Sequence, residues 1–262
     1  MTRGENGSEP VTRQTIAITG ATSGFGLELA HSFAARGDRL VLIGRRQNRL
    51  DTLVAEFGAE NAHALSCDVR RAADYAAALA NLPALFSDVD VLINNAGIGL
   101  GRDRAQEAAL SDWLAMLETN VTGLIAGTQA LLPGMVRRNR GHIVNIGSIA
   151  AQFPTPRNAI YAGTKAFARQ FALCLRADLA GTAVRVSTVE PGQGGDTEFT
   201  LVRERGDEAR ANSMYGSSRL LTPRDVADTV LWVLDRPAHV NVNLVQFMSV
   251  DQTFGPMVFA GK

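Results

Sequence analysis

Short runs rich in β-branched residues alternate with longer amphipathic stretches along nearly the whole chain, and this alternation restricts the fold more than any single motif. The strand-like runs are QTIAIT (14–19), RLVLI (39–43), AHALS (62–66), VDVLIN (89–94), HIVNI (142–146), AVRVSTV (183–189) and VNLVQFM (242–248). Helix-like stretches separate them, from about Gly24 to Arg36 and near 47–57, 71–82, 111–138, 159–180 and 223–235. Several strand runs are almost continuously apolar, as strands covered on both faces must be. The pattern predicts an α/β protein with a Rossmann-like doubly wound parallel sheet of about seven strands and helices on both faces.

No composition shift or Pro/Ser-rich linker divides the chain, so residues 14–262 read as one domain. The opening MTRGENGSEPVTRQ lacks an apolar core and reads as neither signal peptide nor membrane span; residues 1–13 are expected to be a disordered tail. Residues 190–222 form the longest stretch without clear periodicity. A segment that long and irregular in a compact domain suggests a lid.

Composition excludes several classes of function. Lys plus Arg equals Asp plus Glu at 26 each, so no global field draws the chain to nucleic acid or an anionic membrane. Cys67 and Cys174 are the only cysteines, and His31, His63, His142 and His239 are scattered. Neither a disulfide framework nor a metal site is expected, and a reducing, cytoplasmic setting fits.

The first strand runs into TGATSGFG, residues 19–26. Gly20, Gly24 and Gly26 permit a tight turn and close approach to the backbone, and the start of the following helix offers free N–H groups to an anion. Strand, glycine loop and helix in this order suit a pyrophosphate. At the end of the second strand, where an acidic residue would hold the ribose hydroxyls of NAD, the chain has Gly44, Arg45 and Arg46. Two guanidinium groups there favour a 2′-phosphate, hence NADP(H).

In YAGTKAF, residues 161–167, Tyr161 and Lys165 stand four apart and so share one helix face. Taken alone, the pair reads as an ordinary half-exposed surface. With the glycine loop, it becomes a candidate acid–base device. A phenol has a pKa of ~10, and lowering it by ~3 units requires roughly 4 kcal/mol of stabilisation, which a neighbouring ammonium can supply.

Together, TGATSGFG, CDV (67–69), NNAG (94–97), Asn120, Ser148, YAGTK (161–165) and PG (191–192) resemble the short-chain dehydrogenase/reductase family, over nearly the whole chain from Gln14 onward. Within it, GATSGFG, GRR, TEF and YAGTKAF are most similar to bacterial NADP-dependent 3-hydroxy acid dehydrogenases. These include serine and allo-threonine dehydrogenases, semialdehyde reductases and the related sulfoacetaldehyde reductases.

The resemblance implies a catalytic tetrad of Asn120, Ser148, Tyr161 and Lys165. Tyr161 exchanges a proton with the substrate oxygen, Ser148 donates a hydrogen bond to it, Lys165 also meets the nicotinamide ribose, and Asn120 holds a water leading protons to the lysine. Around the cofactor it implies Gly20, Thr22, Ser23, Gly24, Phe25 and Gly26 in the glycine loop, and Arg45 and Arg46 beyond it. Asp68 and Val69 would flank the adenine and Asn95 would lie beside the adenosine ribose. Pro191, Gly192, Gln193, Thr197 and Phe199 would meet the nicotinamide half. It implies no metal, and usually a homotetramer or dimer in which helices 111–138 and 159–180 pack across an interface. The chain departs from the subfamily at Gln193, Gly194, Gly195 and Asp196, a polar, glycine-rich stretch that suggests a mobile or reshaped loop.

The expected function is therefore an NADP(H)-dependent oxidoreductase acting on a small anionic 3-hydroxy acid, or on a carboxylate or sulfonate aldehyde. A small anion needs a cation outside the tetrad. Arg203 is the first candidate and Arg157 the second. The alternatives are a reductase of uncharged ketones, steroids or acyl thioesters, and a non-catalytic NADP-sensing protein.

Overall fold

Seven parallel strands form a single sheet in the order β3-β2-β1-β4-β5-β6-β7. The computed structural model describes residues 13–195, 197–209 and 218–254. The strands are β1 (Thr15–Thr19), β2 (Arg39–Gly44), β3 (Ala62–Ser66), β4 (Val91–Asn94), β5 (Gly141–Ile146), β6 (Val184–Pro191) and β7 (Leu244–Phe247). Each predicted strand run is present, within a residue or two at either end. Residues 1–12 of the N-terminal tail, with Asp196 and residues 210–217 of the predicted lid, lie outside the described residues.

Side chains alternate across a strand, so each strand feeds two cores. Ile16, Ile18, Leu40 and Leu42 are buried on one face against α1 (Gly24–Ala35), α2 (Gln47–Phe57) and the helix Pro223–Leu234. Ala17, Val41 and Ile43 are buried on the other, against α3 (Ala72–Ala80) and the longer helices described next. Complete burial of such side chains contributes ~1.5–3 kcal/mol each. Register runs in step, with Ile18 opposite both Leu42 and Ile93. Chain order reverses between β1 and β4, which opens a crevice at the strands' carboxyl ends, where ligands of such sheets bind.

The stretch 111–138, expected as one helix, is two. A π-helical turn at Glu118–Thr122 separates α4 (Leu110–Leu117) from α5 (Gly123–Arg137). Such turns cluster at functional sites, and Asn120 sits in the middle of this one. Helix α6 (Ala159–Asp178) follows β5 and a single 3₁₀ turn, Ile149–Ala151. The segment after β6, read as irregular, contains a short helix α7 (Glu198–Arg203). Six residues are too few to show a 3.6-residue period.

Helix α8 (Pro223–Leu234) begins with its own capping box, in which Thr222 Oγ1 accepts from the Asp225 N–H and the Asp225 carboxylate accepts from the Thr222 N–H. Helix α1 is different. Its N-cap Ser23 makes no capping bond, and its first turn has no acidic residue. Its leading N–H groups therefore have no side-chain acceptor of the helix's own making. No helix among the described residues is long and apolar enough to cross a membrane.

Candidate active site

The crevice is a cavity of about 560 Å³, within the size range of cofactor and substrate sites. The glycine loop forms one wall. Gly20 and Gly24 hold φ of +68° and +52°, and a Cβ on Gly26 would stand 2.3 Å from the Gly20 carbonyl oxygen. Only hydrogen at those positions lets the loop fold flat over the start of α1. A flat loop above uncapped amides fits a pyrophosphate.

The double arginine is divided by the structure. Arg46 turns inward, donating from Nη2 to Thr22 Oγ1 and Ser23 Oγ, 2.8 Å each, and from Nη1 to Glu198 Oε2 at 2.7 Å. Arg45 is exposed at the cavity wall near Asp68 and makes no hydrogen bond or ion pair to a described residue. Both arginines border the cavity: Arg46 is held by the loop and by Glu198, and Arg45 is exposed at the wall. The Asp68 carboxyl is kept below its usual range, first by its hydrogen bond with Arg70. Asn95 uses its side chain to brace the loop, donating to the Thr19 carbonyl at 2.8 Å.

At the other end, Ser148, Tyr161 and Lys165 line the same cavity. Ser148 Oγ accepts from the Ala150 N–H at 3.2 Å, which leaves its own proton to donate. Lys165 is buried, and its ammonium lies 5.8 Å from the Tyr161 ring centre. Burial pushes the Lys165 pKa down to about 8, while the Glu190 carboxylate pulls the other way. Glu190, fully buried, is itself paired with Arg169.

Asn120 stands behind these groups and does not border the cavity. Its side-chain oxygen accepts from the Ile98 N–H at 2.8 Å, and its amide donates to the Ile98 carbonyl at 2.9 Å and to Thr164 Oγ1 at 3.0 Å. A Cβ on Gly97 would be 3.4 Å from both Asn120 Oδ1 and Lys165 Nζ, so the two side chains face one glycine. The π turn is thus stitched to α6 through Thr164, inside the YAGTK motif.

The two candidate arginines part company. Arg203 is 8% exposed, lines the main cavity, lies 5.5 Å from the Tyr161 ring centre and donates to Asn158 Oδ1 at 2.7 Å. Arg157 is exposed, takes a left-handed φ of +61° in the turn before α6, and borders a side cavity of about 70 Å³ instead. The turn that brings Asn158 under Arg203 carries Arg157 outward.

Pro191, Gly192, Gln193, Thr197 and Phe199 all reach the main cavity. Residues 193–195 of the polar stretch after Gly192 are hydrogen-bonded to distant segments. Gln193 N–H donates to Gln252 Oε1 at 2.8 Å, Gly195 N–H to the Leu221 carbonyl at 2.8 Å, and Gly194 pairs with Leu221 as an isolated bridge. Sequence reasoning missed Asn158, Glu198 and the wall formed by Phe153, Gln252 and Phe254. Glu198 lies within TEF, but the others carry no motif, and Phe254 meets Phe153 only through the fold, with ring centres 4.5 Å apart.

Comparison with known proteins agrees with this geometry. Residues 14–206 match the family model for short chain dehydrogenase. The chain is 49% identical over 239 residues to the NADP-dependent 3-hydroxy acid dehydrogenase YdfG of Salmonella typhi, covering 91% of this chain and 96% of that protein. It is 44% identical over 240 residues to the serine 3-dehydrogenase of Agrobacterium fabrum, covering 92% and 95% respectively. The solved closed form of a serine dehydrogenase complexed with NADP+ superposes with a TM-score of 0.92 at 45% identity, over 94% of this chain and 99% of that one. The chain therefore belongs to the short-chain dehydrogenases, a family of oxidoreductases acting on CH–OH groups.

Proposed function

We propose that the protein is an NADP(H)-dependent dehydrogenase of small 3-hydroxy acids, working in reverse as a reductase of the matching carboxylate or sulfonate aldehydes and ketones, sulfoacetaldehyde among them. Gly20, Gly24 and Gly26 with the start of α1 would hold the pyrophosphate, and Arg45 the 2′-phosphate. Supporting the cofactor reading is the absence of any acidic residue in Gly44–Arg45–Arg46, together with the NADP-dependent relatives.

When bound, the nicotinamide exchanges a hydride with the substrate carbon. The protein's own groups handle the proton and the charge. Tyr161 gives its phenolic proton to the carbonyl oxygen in reduction and takes it back in oxidation. The Lys165 ammonium stabilises the phenolate left behind, and Ser148 donates to the oxygen on which charge develops. Asn120, fastened to Ile98 and Thr164, keeps the π turn and α6 in register around Lys165.

One observation carries the substrate class. The Arg203 guanidinium is buried in the cavity beside Tyr161 and held by Asn158, where a carboxylate or sulfonate would meet a preorganised fork. Exposed Leu110, Leu114 and Leu117 on α4, Ile125 on α5, and Phe167 and Leu173 on α6 support a homotetramer or dimer built across these helices.

The test is initial-rate NADPH oxidation with malonic semialdehyde, sulfoacetaldehyde and neutral aldehydes, beside NADP-linked oxidation of L-serine and 3-hydroxypropionate. Arg203→Ala should raise KM for the acids ~10-fold or more while changing KM for uncharged alcohols far less. Equal effects on both remove the anion clamp. Unchanged NADPH oxidation in Tyr161→Phe removes the catalytic reading altogether.

A further inference from the structure

Helix α7 carries three anchors in six residues. Arg203 at its end holds Asn158, and Phe199 packs on Tyr161 with ring centres 5.6 Å apart. Glu198 at its start reaches across the crevice, where Oε2 accepts from Arg46 Nη1 and Oε1 accepts from Arg49 Nη1, 2.7 Å each. Both arginines are fastened to the glycine loop as well, Arg46 through the hydroxyls of Thr22 and Ser23, and Arg49 through the Thr22 carbonyl at 3.2 Å. One carboxylate thus bridges two guanidinium groups fastened to the glycine loop, and Glu198 and Arg46 both line the cavity beside Gly20 and Gly24.

Glu198 is 40% exposed, so either ion pair alone would hold little. Two features strengthen the set. Each carboxylate oxygen has its own arginine, and Arg46 is already ordered by two hydroxyl groups, so little further side-chain freedom is lost when Glu198 joins. The Glu198 proton is held below the usual carboxylate range, first by the Arg46 hydrogen bond, and the side chain stays charged near neutrality.

We infer that Glu198 is a positioning residue: its bridge to Arg46 and Arg49 clasps α7 to the glycine loop, so that bound NADP(H) leaves only when the clasp opens. The same bridge ties the placement of Arg203 and Phe199 at the substrate end to the wall that holds the adenosine phosphates. The inference rests on the NADP(H) reading above. A carboxylate that instead competed with the 2′-phosphate for Arg46 would have the opposite effect on release.

The experiment uses the full chain as wild type, Glu198→Gln, Arg49→Gln and the double variant. NADPH release is followed by stopped-flow fluorescence on chasing with excess NADP+, at low and high salt. Amide hydrogen exchange of residues 198–203 is measured without cofactor. Both single variants should release NADPH about threefold faster or more, with faster exchange in α7, and the double variant should add little to either. Wild-type release should quicken with salt, and Glu198→Gln should respond less. Unchanged or slower release in either single variant overturns the clasp. Equilibrium titration separates the two failures: no preference for NADPH over NADH in the wild type sinks the cofactor reading, whereas normal preference with unaltered release sinks the clasp alone.

Discussion

The Lys165 ammonium donates to the Ile146 carbonyl oxygen, 2.8 Å away at the carboxyl end of β5. A helix and a strand are thereby joined at a buried cation, placed where burial disfavours it. Its folded pKa of about 8 lies below the ordinary 10.5, so across that interval the unfolded chain binds a proton that the folded chain does not. Stability consequently rises with pH from about 8 to 10.5, and below 8 the buried charge costs about 3 kcal/mol. Lys165→Met should lower kcat/KM by ~100-fold or more, because Tyr161 loses the charge that stabilises its phenolate. The same variant should unfold at an equal or higher temperature than wild type at pH 7, with the gain gone near pH 10. A marked loss of thermal stability at pH 7 would show that the ammonium is held by compensation rather than at a cost.

Asn158 carries no motif, yet it holds Arg203, the proposed anion clamp. Its side-chain oxygen accepts from Arg203 and its amide donates to Thr155 Oγ1 at 3.1 Å. Asn158→Ala frees the guanidinium to take other rotamers, and a hydrogen bond to a charged group is worth ~1.5–3 kcal/mol. KM for a 3-hydroxy acid should rise roughly tenfold, with kcat altered less than about threefold. Initial rates on acidic and neutral substrates decide it, and an unchanged KM for the acid would detach Asn158 from the clamp.

Two glycines should respond in opposite directions to alanine. A methyl on Gly26 meets the Gly20 carbonyl at 2.3 Å and the Asn95 side-chain nitrogen at 2.5 Å, so Gly26→Ala should cost about 1–3 kcal/mol and weaken NADPH binding. A methyl on Gly163, inside α6, meets nothing within 4 Å. Gly163→Ala should raise the unfolding temperature by about 2–4 °C, through the lower conformational freedom of the unfolded chain. Calorimetry with NADPH titration reads both, and a stabilised Gly26→Ala would refute the described loop.

Local pattern was enough to read much of the protein. The seven strand runs, the loop TGATSGFG and the four-residue spacing of Tyr161 and Lys165 depend on neighbours in the chain, because a strand's alternation, a tight turn and a helix face each act over a few residues. Other features arise only when distant segments meet. The π turn that sets Asn120 is stabilised by Ile98 and by Thr164, 22 and 44 residues away. How each arginine is held was likewise undetermined by sequence: Arg45 and Arg46 are adjacent, chemically identical and both at the cavity, and Glu198, 152 residues from Arg46, pairs with Arg46. Arg203 and Arg157 were the first and second candidates by sequence, and the structure parted them: Arg157 lies exposed in a left-handed turn and Asn158 holds Arg203 beside Tyr161. The sequence by itself determined the fold, the glycine loop and the shared helix face of Tyr161 and Lys165, since these follow from short-range geometry. Tertiary structure alone decided the partners of each charged side chain, since electrostatic partners are chosen by distance in space and carry no periodic trace along the chain.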